Sequence, residues 1–164
     1  MRILGIDPGL NVTGYGVIEA GDGLLGLVEA GAVETDDAAP MEERLAEIFR
    51  GVGSVISSLH PDIVAVEELY SHYAHPRTAI LMGHARGAIF LAAALQGLGV
   101  VGYSANRVKK ALTGSGHASK EQVGRMVQSI FGLDEPPSPN DVSDALAIAA
   151  CHCLAQGYVR AVNL

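Results

Sequence analysis

Apolar positions fall in short runs along the first third of the chain and at helical spacing through most of the rest. Ile3 to Asp7 forms one such run and stops at the turn dipeptide Pro8-Gly9. Val12–Ala20 and Leu24–Glu34 are two more, joined by Gly21-Asp22-Gly23, a connection short enough for an antiparallel meander. After Pro40 the spacing changes. Leu45, Ile48, Phe49, Val52 and Ile56 make a helical stripe that ends before Pro61. Ile63, Val64, Ala65 and Val66 then run without a polar break into Glu67, the pattern of a strand covered on both faces. A helix is expected from about Thr78 to Leu98, a strand at Val100–Tyr103, and a short helix in Asn-Arg-Val-Lys-Lys-Ala-Leu. Ser119-x-x-Gln122 is a capping box opening a helix that reaches about Phe131. Ser138 and Pro139 read as N-cap and first residue of a last helix ending near Tyr158. Three antiparallel strands, two further strands alternating with helices, and a helical tail make an α/β domain spanning 1–164, its mixed sheet covered by helices.

Composition narrows the class. Of 164 residues, 49% are apolar and 18% charged, and the mean hydropathy is +0.27, values that exclude a disordered chain. No uninterrupted apolar run has the length of a membrane span, and Asp7 falls where a signal peptide would still be apolar. Cys151 and Cys153 offer no disulfide framework and are read as reduced. A soluble cytoplasmic protein without a membrane partner is expected.

The net charge of −7 argues against nucleic acid, but its distribution argues for it. Residues 1–68 hold 13 acids and 3 bases, whereas residues 69–133 hold seven bases and Glu121 as the sole acid. A chain segregated in this way can present one basic face while staying acidic in sum.

Two motifs are set aside. Gly97-x-Gly99-x-x-Gly102 has the spacing of a dinucleotide loop, but it follows a helix and enters a strand, the reverse of what phosphate binding needs. Cys151-His152-Cys153 resembles a metal tract, yet positions two apart on a helix point to different sides. Packing is the reading for both.

The informative residues are acids in places where the fold would favour apolar side chains. Asp7 closes the first strand and Glu67 the fourth; if those strands are parallel neighbours, both carboxylates emerge at the carboxyl edge of the sheet, where α/β folds place ligands. Asp141 and Asp144 lie three apart on the last helix, and the face continues through Ala147, Ile148 and Cys151. A carboxylate carried into such a stripe costs several kcal/mol unless it is paired or metal-bound. Helix-dipole stabilisation accounts for Asp141 equally well. No lysine or arginine adjoins any of the four in sequence, so protons or cations have to balance them. Oxygen-only donors select hard ions such as Mg²⁺ or Mn²⁺, and two such ions can drive phosphodiester hydrolysis without a side-chain nucleophile. With the basic segment, this reads as a metal-dependent nuclease.

These residues resemble a known family, the RuvC Holliday junction resolvases of RNase H-like fold. The likeness runs collinearly from GIDPGLNVTGYGVI through AVEELY, GHARGAI and NRVKKALTGSGHASKEQV to NDVSDALAIA. It implies a five-stranded mixed sheet and a Mg²⁺-dependent, homodimeric endonuclease with two ions per site, Mn²⁺ substituting. That enzyme would nick four-way junction DNA symmetrically, leaving 5′-phosphate and 3′-hydroxyl ends, and would work with a RuvA–RuvB branch-migration complex. The metal-binding acids it implies are Asp7, Glu67, Asp141 and Asp144. Tyr70 takes the position of the aromatic that wedges at the crossover, and Lys109 and Lys120 those of the bases on the scissile strand. Arg77, Arg107, Lys110, His117 and Arg125 are further candidates for the DNA surface. Two positions depart from the pattern. The third acid is histidine in some members, and Glu68 follows Glu67 where relatives often carry an amide. Two alternatives stay open: a junction-binding protein without activity, and an ATP-binding fold of the actin and sugar-kinase kind.

Overall fold

The computed structural model describes residues 1–69 and 76–159. Five strands, β1 (Arg2–Asp7), β2 (Val12–Gly21), β3 (Leu24–Glu34), β4 (Ile63–Glu67) and β5 (Val100–Tyr103), form a sheet of order β3-β2-β1-β4-β5. β1–β2 and β2–β3 are antiparallel, whereas β1–β4 and β4–β5 are parallel, giving the mixed RNase H-like sheet that the sequence led us to expect. Five helices follow in order: α1 (Met41–Leu59), α2 (Pro76–Leu95), α3 (Ala105–Thr113), α4 (Lys120–Phe131) and α5 (Asn140–Ala155).

Strand alternation divides the core in two. Leu4 and Ile6 of β1 and Val64 and Val66 of β4 face α1 and α2. Ile3 and Ala65 face the other way, into the cluster built with α3, α4 and α5. Side chains two apart share a face, so Ile3, Gly5 and Asp7 point toward α5, as do Ile63, Ala65 and Glu67. Both strand-terminal acids therefore emerge on the α5 side. α5 is not a one-sided helix. Every residue from Val142 to Cys153 except Asp144 is buried, so the apolar stripe that carries Asp144 is one side of a helix enclosed almost all round.

Three glycines let α5 lie directly on the sheet. A Cβ at Gly5 would stand 2.1 Å from the Ala145 carbonyl oxygen, one at Gly14 2.0 Å from that of Asp141, and one at Gly16 2.5 Å from a Leu146 methyl. Gly14 is paired in register with Asp7, so the closest approach of helix to sheet falls beside the first carboxylate.

Some boundaries differ from expectation. α2 starts at Pro76 and stops at Leu95 rather than Leu98, because Gly97 takes φ 75° and turns the chain toward β5. α5 starts one residue later than its cap signal. Pro139, with ψ 172°, is the extended cap residue and Asn140 the first helical one, so the Ser138 hydroxyl lies a position too far out to cap. The same helix ends at Ala155, short of Tyr158. The capping box at Ser119 and Gln122 is formed as expected. Arg77–Leu95 of α2 is apolar enough on average to cross a bilayer, although His84 and Arg86 interrupt it, and only 22% of that stretch is buried. Its buried side, Ala85, Ile89, Ala92 and Ala93, packs with α1.

Candidate active site

A pocket of about 360 Å³ opens at the carboxyl edge of β1 and β4, and Asp7, Glu67, Asp141 and Asp144 all line it. Three elements converge there. The parallel register Ile6↔Val66 sets Asp7 and Glu67 side by side at adjacent strand ends. α5 crosses the same face, and Gly14 admits its first turn close enough to add Asp141 and, one helical turn in, Asp144. The loop after β1 is pinned from below, since the Thr13 hydroxyl donates to the Gly9 carbonyl at 2.6 Å. Arg44, buried under the same loop, donates to Asn11 and to the Thr35 hydroxyl.

The electrostatics follow from crowding. Burial, then the charges of Glu67 and Asp144, pushes the Asp7 carboxyl up to about 8, and hydrogen bonding with Glu67 pushes the same way. Burial also raises Glu67, opposed by hydrogen bonding with Asp7 and by Lys120 and Lys109. Lys120 supplies a cation that sequence proximity did not show: its Nζ donates to Asp144 Oδ2 at 3.0 Å, and that contact raises the amine's own pKa. Among the described residues no three His, Cys, Asp or Glu side chains converge on a single point at metal-binding range. The donor set fits a hard divalent ion: four carboxylates line the pocket with no thiol or imidazole among them, the Met82 thioether being the sulfur in its wall, and burial together with the neighbouring charges raises the Asp7 carboxyl.

The remaining candidates divide by position. Lys109 joins Lys120 in the pocket wall. Arg107 lies on α3 with its guanidinium 4.9 Å from the Tyr103 ring centroid, and Lys110 is exposed in the last turn of the same helix. His117 is exposed in the α3–α4 loop. Arg125 is exposed on α4 and paired with Glu121 at 2.6 Å. Arg77 is exposed at the start of α2, away from the pocket wall. Tyr70 lies outside the described residues. Glu68 diverges from Glu67: its side chain lies over Gly102, where an added Cβ would meet it at 2.8 Å, and it does not line the pocket.

Sequence reasoning missed Arg86. From α2 its Nε donates to the Glu67 backbone carbonyl at 3.2 Å while its guanidinium covers Phe90, 4.5 Å from the ring centroid. Its place in the apolar helix GHARGAIF was the available signal. The two set-aside motifs are structural: Gly97–Gly102 links α2 to β5, and Cys151 and Cys153 are buried with thiols raised to about 11 by burial.

Residues 3–152 match the family model described as "Crossover junction endodeoxyribonuclease RuvC". A Rhodopirellula baltica protein of that description is 50% identical over 158 residues, covering 96% of this chain and 89% of its own. The Thermus thermophilus RuvC structure superposes with a TM-score of 0.87 at 40% identity, covering 95% of each chain. The same protein in complex with its Holliday junction substrate gives 0.86 at 39% identity, covering 95% of this chain and 94% of that one.

Proposed function

Since the chain belongs to the RuvC family of crossover junction endodeoxyribonucleases, we propose that it resolves Holliday junctions in DNA recombination and repair. Residues 1–164 would act as one nuclease domain, cutting two symmetric strands to 5′-phosphate and 3′-hydroxyl ends. The observation that carries this reading is the meeting of four carboxylates from β1, β4 and α5 with Lys109 and Lys120 in one pocket. Such a site pairs a place for hard cations with a place for a phosphodiester.

Asp7, Glu67, Asp141 and Asp144 would hold two Mg²⁺ ions, Mn²⁺ being an adequate substitute. Those ions, when bound, would activate the attacking water and neutralise charge on the leaving oxygen. The protein's own groups do the rest. Gly14 and Gly5 hold α5 against the sheet and so fix the spacing of its two aspartates from Asp7. Arg86 steadies the end of β4 through the Glu67 carbonyl. Lys120, held by Asp144, stands at the pocket mouth to meet the phosphate of the scissile strand, and Lys109 meets it from α3. Arg77, Arg107, Lys110, His117 and Arg125 extend the basic surface, and Tyr70 would stack on a base opened at the crossover.

Symmetric cutting calls for two identical sites, and α2 offers the interface for a homodimer. Ile80, Leu91 and Leu95 are 61%, 53% and 70% exposed on it. Among the described residues a would-be Cβ at Gly87 has nothing within 4 Å and one at Gly83 meets only a Leu69 methyl at 3.9 Å, so packing among them demands neither glycine. A second α2 can approach closely over those glycines. By family resemblance a RuvA–RuvB complex would present the junction, in the cytoplasm and without a membrane.

The test is a labelled synthetic four-way junction beside linear duplex of the same sequence, each with and without Mg²⁺. Symmetric nicks in the junction alone, dependent on metal, are expected. Junction binding without cleavage under Mg²⁺ or Mn²⁺ would establish the inactive binder instead, and neither binding nor cleavage would overturn both. The family leaves the ATP-binding alternative without support.

A further inference from the structure

Beside the catalytic pocket lies a second cleft of about 430 Å³, between α4 and the start of α5, which shares Lys120 and Asp144 with it. Gly124 in its wall is unlike the glycines beneath α5. It sits in the interior of a twelve-residue helix, where glycine is less favourable than alanine. No close contact demands it: an added Cβ would meet only Ser143 Oγ at 3.7 Å and Pro136 Cβ at 4.0 Å, ordinary packing distances. What the glycine does is leave space open.

Across that space stands Ser143, 6% exposed, its buried hydroxyl without a hydrogen-bond partner among the described residues. Buried hydroxyls are nearly always paired, with protein or with water, so this one is a donor available to a group that enters the cleft from solvent. The cleft is also closed by the N-terminus of α5. Its cap residue, Pro139, has no side chain that can accept from the leading N–H groups, and their partial positive charge favours an anion. Lys120 and Arg125 add cationic side chains from α4.

We propose that this cleft seats a backbone phosphate of the bound DNA strand, next to the phosphate cut at the carboxylates, with the Ser143 hydroxyl and the α5 N-terminus as its donors. The inference rests on the nuclease reading of the adjoining pocket. Glu121 and Asp144, which pair with Arg125 and Lys120, make the cleft a poor trap for a free ion. They are no bar to a phosphate delivered by a strand already anchored next door. The seat would register that strand across the active site.

Two substitutions and a modified substrate test it. Gly124→Ala is expected to raise Tm by roughly 1–4 °C, since it removes a helical glycine without a clash, while weakening junction binding. Ser143→Ala is expected to keep or raise Tm and to weaken junction Kd by roughly 10–150-fold, the range for one hydrogen bond to a charged group. Junctions carrying a neutral methylphosphonate at successive positions flanking the cut site locate the phosphate. At one flanking position wild type loses affinity, and there the two variants lose little more. Unchanged Kd in both variants overturns the proposal, as does a deficit equal at every methylphosphonate position. A wild-type protein that neither binds nor cuts the unmodified junction refutes the nuclease reading instead.

Discussion

Replacing Gly14 by alanine is expected to separate the two halves of the proposed active site. Gly14 pairs with Asp7 across the β1–β2 ladder, and a Cβ there would stand 2.0 Å from the Asp141 carbonyl oxygen, 2.2 Å from its carbon and 2.8 Å from the Val142 nitrogen. All three are backbone atoms, so no side-chain rotation relieves the clash. Real Cβ atoms essentially never approach closer than 3.0 Å, so the first turn of α5 has to retreat by about 1 Å at least. It carries Asp141 and Asp144 with it. Overpacking of this size costs about 1–3 kcal/mol, which in a domain of this length lowers Tm by roughly 2–12 °C. Displacing a reacting constellation by about 1 Å costs on the order of 100-fold in rate. Junction cleavage should fall by that factor, and the Mg²⁺ concentration for half-maximal cleavage should rise, at temperatures where the variant remains folded and binds the junction. Gly16→Ala is the control, because it presses on the Leu146 side chain one turn further along the same helix, at 2.5 Å. It should cost comparable stability and much less activity. Wild-type cleavage and metal dependence in Gly14→Ala would refute the reasoning, and equal activity losses in both variants would show general loosening of α5.

Asp7→Asn should reduce cleavage by more than about 100-fold, beyond what loss of an outer partner costs a metal site, with junction affinity kept. Loss of binding by the folded variant would break the division between carboxylates and basic surface. Asp7 also makes stability depend on pH. Its folded pKa of about 8 lies above the ordinary 3.8, so the folded state holds an extra proton between those values, and metal-free protein loses stability as pH climbs from 4 through 8. Melting at pH 6 and pH 9 should show this fall, shrunken in Asp7→Asn and offset by Mg²⁺; a wild-type Tm loss no larger than the variant's would contradict it. Lys120→Ala should weaken junction binding and flatten the slope of log K against log salt by about 0.9, the value for one phosphate contact. An unchanged slope would exclude that contact. On the proposed α2 interface, wild type should sediment as a dimer, and Leu91→Asp, placed 53% exposed on that helix, should give a monomer and turn paired nicks to single ones. A dimer that survives it would move the interface elsewhere.

How far the site could be read in advance varied by element. Asp7 and Glu67 were legible because a polar residue closing an apolar strand run stands out, and strand parity with parallel pairing leaves one place for both. Glu67 and Glu68 were not separable by type; alternation separates them, sending one side chain to the pocket and the other over Gly102. Asp144 was found through its spacing on α5, although that helix is buried on nearly every side and its face alone was a weaker guide than the pattern implied. Ser138 failed as a cap because one backbone angle at Pro139 shifts the helix start, a choice the dipeptide does not encode.

The order of strands and helices, the acids that end two strands and the charge division along the chain are local properties of the sequence, because periodicity, turn chemistry and residue type act over a few positions. Which cations meet those acids is not local. Lys120 is 24 residues from Asp144, and Arg86 is 19 from the carbonyl it holds. Only the packing of α2, α4 and α5 against the sheet brings them together. The glycines show the same limit. Gly14, Gly87 and Gly124 are one residue type in the sequence, and only the folded chain tells the glycine that admits a helix from one that lies open on a helix face and one that keeps a cleft open. The missing side chain acquires meaning from what stands opposite it.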